Sequence, residues 1–149
     1  MNKIFEKPFW ICPRCGKKFV SRNMWHSCGR FTVEQFFQGK NPQAQKFYKA
    51  FHNFVRKNCG PFIVDVAKTR ISFQGRARFA GVAGVTKEGL IIGFWLKRKV
   101  SSPRFTWVNS PMPNNWVYKL RISDTKELDK ELLGWLKEAY EVGMQRYKA

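Results

Sequence analysis

Thr69-Arg70-Ile71-Ser72-Phe73-Gln74 and Arg76-Ala77-Arg78-Phe79-Ala80-Gly81-Val82, separated by Gly75, alternate basic or polar side chains with apolar ones. A period of two is the signature of a strand with one face buried and one face in water. Ile71, Phe73 and Phe79 therefore belong to one face, and Arg70, Ser72, Arg76 and Arg78 to the other. The pattern extends in both directions, from Gly60 to Ile122, with β-branched and aromatic enrichment and glycine punctuation. It predicts strands at Phe62–Val66, Thr69–Phe73, Arg76–Val82, Leu90–Val100, Arg104–Asn109 and Trp116–Ile122. Turns as short as Thr86-Lys87-Glu88-Gly89 imply antiparallel neighbours.

Helical periodicity flanks this region. Thr32 with Gln35 reads as a capping box, and the short helix it opens should stop at Gly39. Asn41-Pro42 starts a second helix, in which Ala44, Phe47, Tyr48, Phe51, Phe54 and Val55 recur at three and four and Gly60 supplies the stop. Its outer face carries Lys46, Lys49, Arg56 and Lys57. A carboxyl-terminal helix opens at Ser123-Asp124-Thr125 and places Leu128, Leu132, Trp135, Leu136, Ala139 and Tyr140 on one side. Helices segregated from a five- or six-stranded, mostly antiparallel sheet make this an α+β fold.

Ahead of these elements lies Cys12-Pro13-Arg14-Cys15-Gly16, followed by His26-Ser27-Cys28. Two residues between cysteines place both thiolates on one turn, and Gly16 can supply the positive φ that such a turn needs. Cys12, Cys15, His26 and Cys28 are the expected ligands of one structural zinc ion, although His26 and Cys28 are set closer than a usual second ligand pair. Cys59 stands apart as a small buried thiol, with replacement of His26 in the ligand set as the alternative. The chain thus divides into a zinc knuckle at 1–30 and an α+β domain at 31–149.

The net charge of +18 is unevenly spread. Residues 1–123 hold 23 Lys and Arg against 4 acids, and residues 124–149 hold 5 against 6. Such a field attracts polyanions, nucleic acid above all. The alternation assigns Lys68, Arg70, Arg76, Arg78, Lys97, Lys99, Lys119 and Arg121 to a shared cationic sheet face, with Trp95 and Trp107 available to stack on bases. An ordinary solvated face with its cations kept apart is the competing reading. No apolar run is long enough for a bilayer, and no signal peptide precedes the cysteines, so a cytoplasmic location is expected.

The knuckle, the strings G-P-F-I-V-D-V-A-K-T-R-I-S-F-Q and R-F-A-G-V, and E-L-D-K-E-L-L-G-W-L-K-E-A-Y-E-V-G together resemble the bacterial family called domain of unknown function 5655. The resemblance implies a bacterial, cytosolic α+β protein and supplies no catalytic residues. An enzyme is the weaker expectation on residue grounds as well. No phosphate loop, nucleophile elbow or metalloprotease string occurs, and Asp65 with Lys68 is only a fragment of a nuclease-like set. Nucleic-acid binding is the leading expectation; an acidic protein or a phosphorylated small molecule is the alternative partner for the same cations.

Overall fold

A computed structural model describes residues 8–19 and 30–146. The elements in chain order are β1 (Trp10–Ile11), β2 (Lys18–Phe19), α1 (Val33–Phe37), α2 (Pro42–Asn58), β3 (Ile63–Val66), β4 (Ile71–Gln74), β5 (Arg78–Val85), β6 (Leu90–Leu96), β7 (Phe105–Met112), β8 (Asn115–Ile122) and α3 (Lys130–Gly143). β1 and β2 form a small antiparallel hairpin. The other six strands form one antiparallel sheet in the order β3-β4-β5-β6-β8-β7, with helices before and after it in sequence.

The helix signals act as their chemistry requires. Thr32 and Gln35 form the reciprocal capping box of α1. Asn41 accepts from Gln43 N at the start of α2, and Pro42 occupies its first turn, where a missing N–H costs nothing. Ala44, Tyr48, Phe51 and Val55 are the buried stripe of α2, while Lys46, Lys49, Arg56 and Lys57 are exposed. The carboxyl-terminal helix starts later than expected. Asp124 caps only a 3-10 turn over Thr125–Glu127, the chain breaks helical geometry at Leu128, and Asp129 caps α3 by accepting from Leu132 N at 3.0 Å.

Both long helices cover one face of the sheet. Phe51 of α2 stacks on Phe73 with ring centroids 5.4 Å apart, and Trp135 of α3 stacks on Phe94 at 5.8 Å. Cross-strand partners share a face, so Leu90 with Ile122, Ile92 with Leu120 and Phe94 with Tyr118 form this inner surface. All six are at most 2% exposed. A bulge at Phe73/Gln74 adds one residue to β5, which is why Phe79 and the adjacent Ala80 both enter the core and Phe79 meets Tyr140 edge-on at 5.2 Å.

Several strands end where the alternation alone does not predict. β4 begins at Ile71, because Ala67 N bonds to Arg70 O and closes Lys68 and Thr69 into a turn. β5 begins at Arg78, because Ala77 N bonds to Gly143 O at the end of α3 instead of to a neighbouring strand. β6 stops at Leu96. The buried Tyr118 hydroxyl donates to Arg98 O at 2.9 Å and accepts from Val100 N at 2.6 Å, which pins residues 97–100 as a loop. No helix among the described residues is long and apolar enough to cross a membrane.

Candidate functional site

The sheet face opposite the helices can be traced through cross-strand partners. Asp65 opposes Ser72, Ser72 opposes Gly81, Gly81 opposes Gly93, Gly93 opposes Lys119, and Lys119 opposes Trp107. One row therefore crosses all six strands on the outer face. Trp95 and Arg121 lie on this face too, since each sits between two core residues of its own strand.

At one end of the row the β1–β2 hairpin docks on the sheet. Lys17 Nζ lies 2.8 Å from Asp65 Oδ1 and donates to Val66 O at 3.2 Å. Arg78 Nη2 donates to Asp65 Oδ2 at 2.9 Å, and its guanidinium lies over Phe19 of β2. Gln74 Nε2 donates to Lys18 O at 2.8 Å. Arg70 joins this group. Burial, first, and then the nearby charge of Arg78 lower its pKa below the ordinary arginine value, and Asp65 partly offsets them. Two cations thus pair with one carboxylate whose side chain is only 6% exposed, and Arg70 lies within its electrostatic reach. A cleft of about 550 Å³ between hairpin and β3 is lined by Cys15, Lys17, Lys18, Arg30, Thr32 and Asp65, among others.

At the other end, Lys119 Nζ sits 4.5 Å from the centroid of the Trp107 ring. Trp107 is 43% exposed on β7, an edge strand whose residues beyond Phe105 all face solvent. Bulges at Phe105/Trp107 and Asn109/Met112, together with Pro111, interrupt that edge as a template for further pairing.

The expected platform is therefore assembled only in part. Arg70, Arg78, Trp95, Lys119 and Arg121 reach the outer face. Lys68 stays exposed in the β3–β4 turn. Arg76 is drawn to the sheet end, where its Nε donates to Gln145 Oε1 at 3.2 Å and its guanidinium covers Phe9. Lys97 and Lys99 part company beyond β6. Lys97 donates to Asn115 Oδ1 at 2.7 Å, whereas Lys99 lies over Trp116, whose cross-strand partner Leu96 points into the core. Alternation persists through these turns in sequence, but without a ladder it no longer assigns a face. Sequence reasoning missed Lys17 and the pairing role of Asp65; their contact spans 48 positions and leaves no local signal.

Of the expected metal ligands, Cys12 and Cys15 lie on one turn at the hairpin tip, both buried, while His26 and Cys28 lie outside the described residues. Cys12 N bonds to Lys17 O and Gly16 N to Cys12 O, closing the turn. Gly16 has φ +74°, and a Cβ there would collide with the Arg30 guanidinium, which donates from Nε to Cys15 O. The described residues hold no group of three His, Cys, Asp or Glu placed for a metal. Cys59 caps α2 on the helix side of the sheet, opposite the face where the hairpin docks. Burial raises its thiol to about 11, a little relieved by Lys137 and reinforced by Glu141. At neutral pH it is protonated and unreactive. Iodoacetamide at pH 8 should alkylate Cys59, followed by peptide mass mapping, roughly tenfold or more slowly than a free thiol, with the rate climbing as pH approaches 11. Fast labelling at pH 8 would contradict the burial.

No curated protein and no solved structure matches this chain. A family match does exist, and it takes in α1, α2, the whole six-stranded sheet and α3 while leaving the cysteine hairpin outside. The matched span is residues 33–143, and the chain belongs to the family described as Domain of unknown function (DUF5655).

Proposed function

We propose that this protein binds nucleic acid through the outer face of its sheet, and that Cys12, Cys15, His26 and Cys28 hold one structural zinc ion that braces the hairpin against that face. The observation that carries the reading is that cations gather on the outer face around a single carboxylate among the described residues, whereas acids at α3 meet the arginines that face them. On the helix side Arg98 pairs with Glu138, Arg104 with Asp129 and Glu131, and Arg146 with Glu141. On the outer face the one carboxylate among the described residues, Asp65, is already shared by Lys17 and Arg78. Among the described residues Arg70, Lys119 and Arg121 have no carboxylate within ion-pair distance. Lys119 and Arg121 stand two residues apart on one face of β8, so their like charges repel, and a bound phosphate backbone would offset that cost.

Affinity for a labelled oligonucleotide, measured by anisotropy across a salt series, should fall steeply with salt. Replacing Lys119 and Arg121 together with glutamine should flatten the log-log slope by about 2 if each meets one phosphate, while replacing Lys46 and Lys49 on α2 changes it less. An unchanged slope would remove the outer face from the binding surface. The cleft beside Lys17, Lys18 and Arg30 favours a second reading, a phosphorylated small molecule, which would show a shallow slope and ligand-induced thermal stabilisation.

Four protein ligands leave zinc no open position for water, so its expected role is to hold the hairpin. Elemental analysis of protein prepared without chelators should find about one zinc per chain. Chelation should leave the sheet and helices folded on their own core, as judged by circular dichroism. Protein free of zinc under those conditions would refute the metal assignment.

A further inference from the structure

The cations of the outer face do not by themselves choose between a duplex and a single strand, but the side chains beside them do. Trp107 and Trp95 both stand on this face, on β7 and β6, with β8 between them. Trp107 is aligned with Lys119, and Trp95 with Val117, two residues earlier on β8. Strand spacing and rise place their Cα atoms about 12 Å apart on a diagonal. Lys119 and Arg121 follow on β8 along the same face.

The floor beside Trp95, on the side away from Trp107, is low. Gly81 and Gly93 are cross-strand partners, yet they are glycines for different reasons. A Cβ at Gly81 would lie 2.1 Å from Ile71 O, so the strand approach itself excludes a side chain. At Gly93 the nearest atom to an added Cβ is Tyr118 O at 3.3 Å, and the next is the Lys119 Cγ at 3.7 Å. Strand packing therefore comes much closer to admitting a side chain at Gly93. A glycine in a strand interior often marks a bulge or a close approach of backbone or ligand, and with no side chain at Gly93 the outer face is shallow next to Trp95 and Lys119.

A duplex presents phosphates to a protein but keeps its base faces stacked inside. An exposed indole aligned with a cation, on a face with a second indole, suits unstacked bases, because every base has a π-face and the neighbouring cations meet the phosphates. Resting on the nucleic-acid reading above, we infer that this face is a single-strand site, in which Trp107 and Trp95 stack on bases and Lys119 and Arg121 neutralise the backbone. The Lys119 ammonium lies over the Trp107 ring, and a stacked base takes its place as the ammonium turns to a phosphate.

The probes are a labelled single-stranded oligothymidine and a duplex of equal length, titrated at one salt concentration and then across a salt series. Tighter binding of the single strand, with quenching of tryptophan fluorescence, is the expected result. Trp107→Ala and Trp95→Ala should each weaken single-strand binding roughly tenfold or more while leaving the salt slope unchanged, and Trp107→Phe should restore much of the loss. Lys119→Gln should instead change the slope. Trp107 is exposed enough for its variants to fold, and urea midpoints check this for both positions. If the duplex binds as tightly and both tryptophan variants bind as wild type while the cation variants still flatten the slope, the single-strand site is wrong and the nucleic-acid reading stands. If neither probe binds with a salt dependence, both fail.

Discussion

Asp65→Ala should lower the unfolding free energy by about 3–5 kcal/mol, because it removes the carboxylate that pairs with two partly buried cations. The Asp65 carboxylate bridges Lys17 at 2.8 Å and Arg78 at 2.9 Å, and Arg70 lies close enough for its pKa to respond to both Arg78 and Asp65. Without the carboxylate, the hairpin loses its ion pair to the sheet and three cations face one another. The loss should appear as a lower urea midpoint with little change in slope. Two controls isolate the cause. Arg70→Gln in the Asp65→Ala background should recover part of the stability, and added sulfate should stabilise Asp65→Ala more than wild type by screening and occupying the cationic group. A midpoint shift worth under about 1 kcal/mol, below the range for breaking a buried pair, would mean that the cluster is solvated and the bridge weak.

Phe73→Ala should be at least as damaging, at about 3–5 kcal/mol. Phe73 is 0% exposed, lies 4.4 Å from the Phe62 ring and 5.4 Å from the Phe51 ring, and so joins the loop before β3, α2 and the middle of the sheet. Truncation leaves a cavity among aromatic rings that cannot collapse without moving a helix. A domain of this size is stable by roughly 5–15 kcal/mol, so the variant should stand close to its unfolding transition. Trp107→Ala on the exposed edge should cost far less. Comparable urea midpoints for the two would overturn the assignment of the core to the helix side of the sheet.

The two predictions differ in how far the sequence anticipates them. The inward position of Phe73 follows from its place between Ser72 and Gln74 in an alternating run, and Phe51 from its place on the apolar stripe of α2. The Thr32–Gln35 capping box and the Asn41-Pro42 start were legible for the same reason, since a cap is a hydrogen bond between residues two or three apart. Alternation misplaces Lys68, Arg76, Lys97 and Lys99 because a charged residue at every second position looks the same in a strand and in the turn beside it. What bounds β5 and β6 is remote: the Gly143 carbonyl for β5 and the Tyr118 hydroxyl for β6.

Read locally, the chain specifies the α+β class, the capped starts of α1 and α2, the apolar faces of β4, β6 and β8, and the placing of Cys12 with Cys15 on a glycine-closed turn. Each is dictated by backbone periodicity or by contacts within a few residues. The tertiary structure alone decided which cations become neighbours. The insertion of β8 between β6 and β7 brings Lys119 beside both Gly93 and Trp107, and docking of the hairpin brings Lys17 to Asp65. Strand order, bulges and docking depend on how distant segments share one core, and no local period in the chain records them.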